Sequence, residues 1–212
     1  MYNFPMLIPV HDEMTIEALG SRFSPRALDV ILAANRKQDS LRNQIGHDEI
    51  HFDNNAIDEG NRYIVEQRGL LIASLFSPGV ISAWIAFGRL IHTAQDFYSH
   101  TNYVTLWLDQ FNGAPPLPPE IDPVQKSLLQ SPSLHSGKIH FPLDVLYFVP
   151  FLRKFVLSLL PNNSHGKMNL DSPAQGEKFA YARAAAVKRT VYEFELLQKL
   201  LTPEMFAKFT DL

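Results

Sequence analysis

Apolar residues recur along most of this chain at intervals of three and four, the spacing of one helix face, and nowhere do they alternate over the length of a strand. The pattern predicts helices over about 13–21, 25–38, 56–76, 78–109, 143–160, 173–200 and 203–210, joined by loops at 39–55, 110–142 and 161–172. Four pairs, Ser24-Pro25, Ser77-Pro78, Ser172-Pro173 and Thr202-Pro203, precede periodic segments. In each, a hydroxyl can cap the first turn while proline occupies a position whose N–H is not needed. The expected class is mainly α, a single-domain helical bundle over 1–212. The run from Ala114 to Pro119 reads as stiff polyproline inside a loop, not as a linker between domains.

The 78–109 segment carries polar residues where a core face is expected. His92, Asp96 and His100 stand at i, i+4 and i+8, so each is turned only about 40° from the last. Ile81, Trp84, Ile85 and Gly88 lead into the same stripe, which points the two imidazoles and the carboxylate inward. A buried carboxylate is costly unless a cation or a full set of hydrogen bonds compensates it. Any one of these residues is explained by bonds to its neighbours and to water; the trio on one apolar stripe points to a metal ion. Asp39 and the run His47-Asp48-Glu49-Ile50-His51-Phe52-Asp53-Asn54-Asn55 form a second cluster between two helices, where the plain alternative is a solvated turn. His11-Asp12 is a third, with Asp12 suited to an N-cap and His11 left without a structural role.

Composition narrows the chemistry. With 212 residues, 46% of them hydrophobic, the chain can bury a proper core. A net charge of −3 supplies no basic field for nucleic acid, so no strong nucleic-acid binding is expected. The absence of cysteine rules out disulfides and thiolate sites, leaving nitrogen and oxygen ligands that suit zinc and equally iron or manganese. The opening run Met1 to Val10 has no basic start and two prolines, unlike a signal peptide; the chain is expected to be cytoplasmic as given, or secreted if it is a processed form. No transmembrane segment is predicted. The closest approach, 143–160, is interrupted by Asp144, Pro150, Arg153 and Lys154, and reads as a core helix first and a peripheral membrane contact second. Phe52, Phe97, Tyr98, Tyr103 and Trp107 either line an apolar cleft or pack in the core.

The order His11, Ala34-Asn35, Asp39, His51-Phe52-Asp53-Asn54 and His92-Thr-Ala-Gln-Asp96-Phe-Tyr-Ser-His100, with Asn102 after it, resembles the Het-C family. More distantly it is similar to the superfamily of zinc-dependent phospholipases C and single-strand-specific zinc nucleases. The likeness runs from His11 to Val104, with a weaker echo from His165 to Pro173. It implies a bundle of the phospholipase C/nuclease type that gathers up to three zinc ions in a cleft, where a metal-activated water attacks a phosphodiester. Asp39, His51, His92 and Asp96 would hold one metal. His11 would hold a second with Asp96 bridging, His100 would begin a third, and Asp39 would act as the catalytic base. The superfamily completes the third site from a later helix, but Glu177 to Arg183 contains no histidine. His165, Asp53 or Glu177 would have to substitute, so two zinc ions are expected and the third site is incomplete.

The expected function is therefore a metal-dependent phosphoesterase acting on a small-molecule or lipid-headgroup substrate. The alternatives are a non-hydrolytic metalloenzyme on the same scaffold and a non-enzymatic interaction protein. A His47-Asp48 phosphohydrolase pattern ranks below these because it leaves His92, Asp96 and His100 unexplained. His135 and His140 fall in loops that the pattern does not place.

Overall fold

Eleven consecutive residues, Leu90 to His100, are all buried, so this half of the helix that carries them has no face turned to water. Everything else is built around it. The computed structural model describes residues 7–212 apart from Ile45, Phe148 and Pro150, with the backbone alone at 7–9, 41 and 145. Six helices reach eight residues or more among the described residues. They are α1 (Leu7–Leu19), α2 (Pro25–Gln38), α3 (Ile57–Leu75), α4 (Ile81–His100), α5 (Lys178–Leu200) and α6 (Pro203–Thr210). The central helix α4 packs against α2, α3 and α5, while α1 lies against α5 and α2. The fold is mainly helical, with no strand among the described residues and only isolated bridges, Thr101–Ser136 and Lys138–Ser164. No described helix is long and apolar enough to cross a membrane.

Local chemistry explains the element ends. Ser24 and Thr202 cap α2 and α6 as expected, accepting from the amides of Ala27 and Met205 with proline in the first turn. Ser77-Pro78 and Ser172-Pro173 do not start long helices: α4 begins after Val80, and Pro173 opens a short 3-10 turn before α5. The expected 78–109 helix is broken at Thr101, whose extended backbone ends α4 before a short helix at Tyr103–Leu108. That break frees the C-terminal turn of α4, and His100 with it, to face a loop. The 143–160 segment is two short helices, Leu143–Tyr147 and Arg153–Leu159, rather than one. The first six residues of the opening run lie outside the described residues.

Close packing sets the position of the polar stripe. At Gly88 a Cβ would stand 2.4 Å from the Ile31 carbonyl oxygen and 2.7 Å from Ala34 Cβ, so α4 and α2 cross here nearly backbone to backbone. One turn further on, this crossing puts Asn35 of α2 against His92 of α4. Ile81 at the start of the stripe is 58% exposed, whereas Trp84 is buried with its indole N–H donating to the Phe209 carbonyl at 2.7 Å. Phe52, Phe97, Tyr98, Tyr103 and Trp107 all belong to the core and none lines a cleft. Gly88→Ala is expected to destabilise the protein by about 1–3 kcal/mol through overpacking. Gly69→Ala, in the exposed interior of α3 with open space at its Cβ, should instead stabilise by about 0.5–1 kcal/mol. Urea unfolding of the two variants checks the pair; equal effects would mean that the crossing is not tight.

Candidate metal centre

Four groups of ligand-type side chains converge at the C-terminal half of α4. They are His11, Asp39 and His92; His51, His92 and Asp96; Asp53, His100 and His165; and Asp96, His100 and Asp171, with the ligand atoms of each group within 4.8 Å of one another. Asp96 is the hub. Its Oδ1 lies 3.1 Å from His11 Nε2, and its Oδ2 lies 2.9 Å from His51 Nδ1 and 3.1 Å from His92 Nε2. His92 Nε2 is also 3.4 Å from His51 Nδ1 and 3.8 Å from Asp39 Oδ1. Ligand atoms on a tetrahedral zinc with ordinary bond lengths sit about 3.3 Å apart.

A hydrogen-bond relay decides which nitrogen of each imidazole faces the cluster. The Thr190 hydroxyl on α5 donates to the Ala186 carbonyl at 2.9 Å, so toward Gln95 it can only accept. Gln95 must therefore present its amide nitrogen to Thr190 and its Oε1 to the other side. There Oε1 accepts from Asn35 Nδ2 at 3.2 Å and from His11 Nδ1 at 2.7 Å. With its nitrogen so used, Asn35 offers Oδ1 to His92 Nδ1 at 3.0 Å. His100 Nδ1 likewise donates to the His51 carbonyl at 2.7 Å. In all three histidines Nδ1 carries a proton, so Nε2 is the nitrogen that faces a carboxylate: Asp96 for His11 and His92, Asp171 at 3.1 Å for His100. Each such contact calls for a second proton or a cation between nitrogen and oxygen. This is the outer-shell arrangement that orients metal-ligating histidines.

Protons can fill part of that role and leave the rest unfilled. Burial works against a charged imidazole, but Asp96 and Asp39 still raise His11 to about 9. His100 is also buried, yet Asp171 and Asp96 hold it well above the usual histidine value, and Asp53 raises His165 in the same way. Burial dominates at His92 and lowers it, so its Nε2 stays bare. Despite burial, His92, His100 and His11 keep the Asp96 carboxyl well below its ordinary range. Two buried atoms at the cluster still have no partner among the described residues, Asp39 Oδ2 and His51 Nε2. Protonating the other imidazoles satisfies neither. A bound cation would satisfy both.

The second and third pieces arrive on shaped loops. Asp39 is the C-cap residue of α2, the end where helix carbonyls repel a carboxylate. Phe52, Asn54 and Asn55 adopt left-handed backbone around Asp53, a conformation that costs asparagine little and strains phenylalanine. Asn54 N donates to the Gly137 carbonyl, Asn55 exchanges bonds with Ser136, and Ile139 N donates to Asn54 Oδ1, so 52–55 and 136–139 are zipped together. His165 N in turn bonds the Lys138 carbonyl, which brings its ring to Asp53 at 2.7 Å. Leu170 N on the Ser99 carbonyl sets Asp171 beside His100. The cluster surrounds a cavity of about 50 Å³ whose wall includes Gln44 and Ile139.

The expected ligands His11, Asp39, His51, His92, Asp96 and His100 are all brought together, and Asp53 and His165 join them. Glu177 is not among them: it is exposed at the start of α5. Asp12 is no N-cap but sits within α1, paired with Arg36 at 3.0 Å. His47 is exposed and pairs with Glu49, His135 is exposed, and His140 lies off the cavity wall, so the His47-Asp48 pattern has no site. Asp171 and the Thr190–Gln95–Asn35 relay were not foreseen. The run His165 to Pro173 contains Asp171, but only the fold brings that residue to His100.

The model of the VWA7 N-terminal domain matches residues 10–114. The expected membership of the Het-C family and of the phospholipase C/nuclease superfamily is thereby overturned, because the stretch that carried the resemblance, His11 to Val104, falls inside this different match. No curated protein and no solved structure matches the chain. The matched span includes every cluster residue up to His100 and stops short of His165 and Asp171.

Two outcomes follow from this geometry. Gln95→Leu removes the acceptor that holds His11 and should weaken zinc binding by about 10–100-fold with helicity unchanged, as read by chelator competition. In metal-stripped protein, His11, His100 and His165 have raised values, so their stabilisation is complete below the unfolded histidine value of 6.5 and is lost as pH rises through the folded one, about 9 for His11. His92, being lowered, works in the opposite sense. The melting temperature of the stripped chain should fall between pH 6.5 and 9, while the zinc-loaded chain should hold nearly level.

Proposed function

We propose that the chain is a metal-dependent hydrolase of phosphoesters that holds at least two divalent cations, zinc foremost, on Asp96 and the side chains around it. The observation that carries this reading is the set of imidazole Nε2 atoms aimed at Asp96 and Asp171, that of His92 bare, with Asp39 Oδ2 and His51 Nε2 left unpartnered among the described residues. The nitrogen and oxygen donors fit zinc, and iron or manganese next. The two oxygens of Asp96 face different imidazoles, as a bridging carboxylate does. Asp53, His100 and His165, with Asp171 beside them, supply the donors for a third ion.

Clustered cations supply charge for phosphoryl oxygens and make water more acidic. The chain's own residues do the rest. Asp39 reaches the cavity with one oxygen free, suited to accept a proton from the attacking water. The cavity takes ions, water and the tip of a substrate, so the leaving group would stay at the mouth near Gln44 and Ile139. A purely structural metal calls for a closed shell, whereas Asp39 and Asp171 here line a cavity of about 50 Å³ that has room for water beside an ion.

Zinc-reloaded chain should carry at least two zinc ions by elemental analysis and hydrolyse a chromogenic phosphodiester. Asp96→Ala should lose both metal and turnover, and Asp39→Asn should lower turnover by about 10²-fold or more. Unchanged turnover in Asp96→Ala, or a fully loaded chain inert on every phosphoester tried, contradicts the reading.

A further inference from the structure

Phe151, Phe155 and Leu159 stand at i, i+4 and i+8 and are 83%, 68% and 53% exposed. One residue further on, turned by about 100°, Leu152, Val156 and Leu160 form the inner stripe and pack with Leu143 and Tyr147 into a small core separate from the main one. The helices Leu143–Tyr147 and Arg153–Leu159 thus form an independently packed unit that spends its inner face on itself and presents phenylalanine to solvent. Phe141, just before the first of these helices, is 83% exposed as well. This is not how a core helix behaves, and it corrects the first expectation for 143–160.

The charges on the unit are of one sign. Between 138 and 167 lie Lys138, Arg153, Lys154 and Lys167 and a single acid, Asp144, in a chain whose net charge is −3. Asp144 is fully buried and accepts from the amides of His140 and Gly166, so it adds nothing outside. Lys138, Lys154 and Lys167 are exposed, and Arg153 bonds the Tyr147 hydroxyl while lying over its ring. Outward aromatics flanked only by exposed cations are the signature of a segment that rests in a bilayer interface and is drawn to anionic headgroups. A second copy of the same face would bring like charges together.

We propose that the 138–167 unit is a peripheral anchor for an anionic phospholipid surface. Its root is also a wall of the metal centre. Ile139 lines the cavity, and the Asp144 carboxylate holds the turn that starts at His165.

The test is co-sedimentation of the full chain with phosphatidylcholine vesicles, with and without phosphatidylserine, in the absence of any substrate. The chain should pellet with the anionic vesicles and far less with the neutral ones, and added salt should weaken the binding. Phe141→Ser, Phe151→Ser and Phe155→Ser combined should lower vesicle binding by about tenfold or more with zinc content and circular dichroism unchanged. Lys154→Glu with Lys167→Glu should remove the preference for anionic lipid. Equal binding by the triple variant overturns the proposal, as does failure of the native chain to pellet with either vesicle. So does a native dimer that the triple variant dissolves without any vesicle binding, which would assign the patch to a second copy. Since no turnover is measured, the result stands apart from that of the phosphoesterase assay.

Discussion

One carboxylate and the lone pairs aimed at it dominate this molecule. Asp96 can only accept, and the imidazoles of His11 and His92 turn Nε2 toward it because their Nδ1 protons are committed to Gln95 and Asn35; a second proton can join His11 to Asp96, but burial keeps one off His92. Acceptors held about 3 Å apart in a buried setting repel unless a positive charge stands between them. The fold maintains this opposition where a few leucines would pack more easily. Such a site stores a demand for cations.

Much of the architecture serves to keep that demand rigid. The central helix is enclosed on every side, and its tight crossing with α2 at Gly88 presses Asn35 onto His92. The tautomers are set from a distance by the Thr190 hydroxyl, whose own proton is tied to the Ala186 carbonyl of α5. Left-handed residues at 52, 54 and 55 and their bonds to 136–139 then deliver Asp53, and through the Lys138 carbonyl His165. Backbone strain of this kind is tolerated where surrounding contacts fix it and tends to gather at working sites.

How far the sequence shows this depends on what carries each signal. The i, i+4, i+8 placement of His92, Asp96 and His100 is a local property of one helix, so their common face could be read directly. His11 stands out as a polar residue without a structural role, and Asp39 and His51 as members of a ligand-rich loop that could equally be a solvated turn; only the fold brings them to that face. Asp171 and the relay were hidden because their meaning is tertiary: Gln95 and Thr190 are 95 positions apart in sequence and ordinary in isolation. The break at Thr101 and the split of 143–160 were missed because apolar periodicity continues across both. The family expectation failed for a related reason. A spacing of histidines and carboxylates reports the chemistry of a site more faithfully than its ancestry.

The account predicts where positive charge sits, and crystallography at the zinc absorption edge addresses that most directly. Crystals of the zinc-loaded chain should give anomalous peaks at about 2.0–2.2 Å from His92 Nε2 and from an oxygen of Asp96, with a further peak among Asp53, His100 and His165. Ordered water hydrogen-bonded to those atoms, with no anomalous signal at saturating zinc, would contradict it and leave protonated histidines as the whole of the compensation.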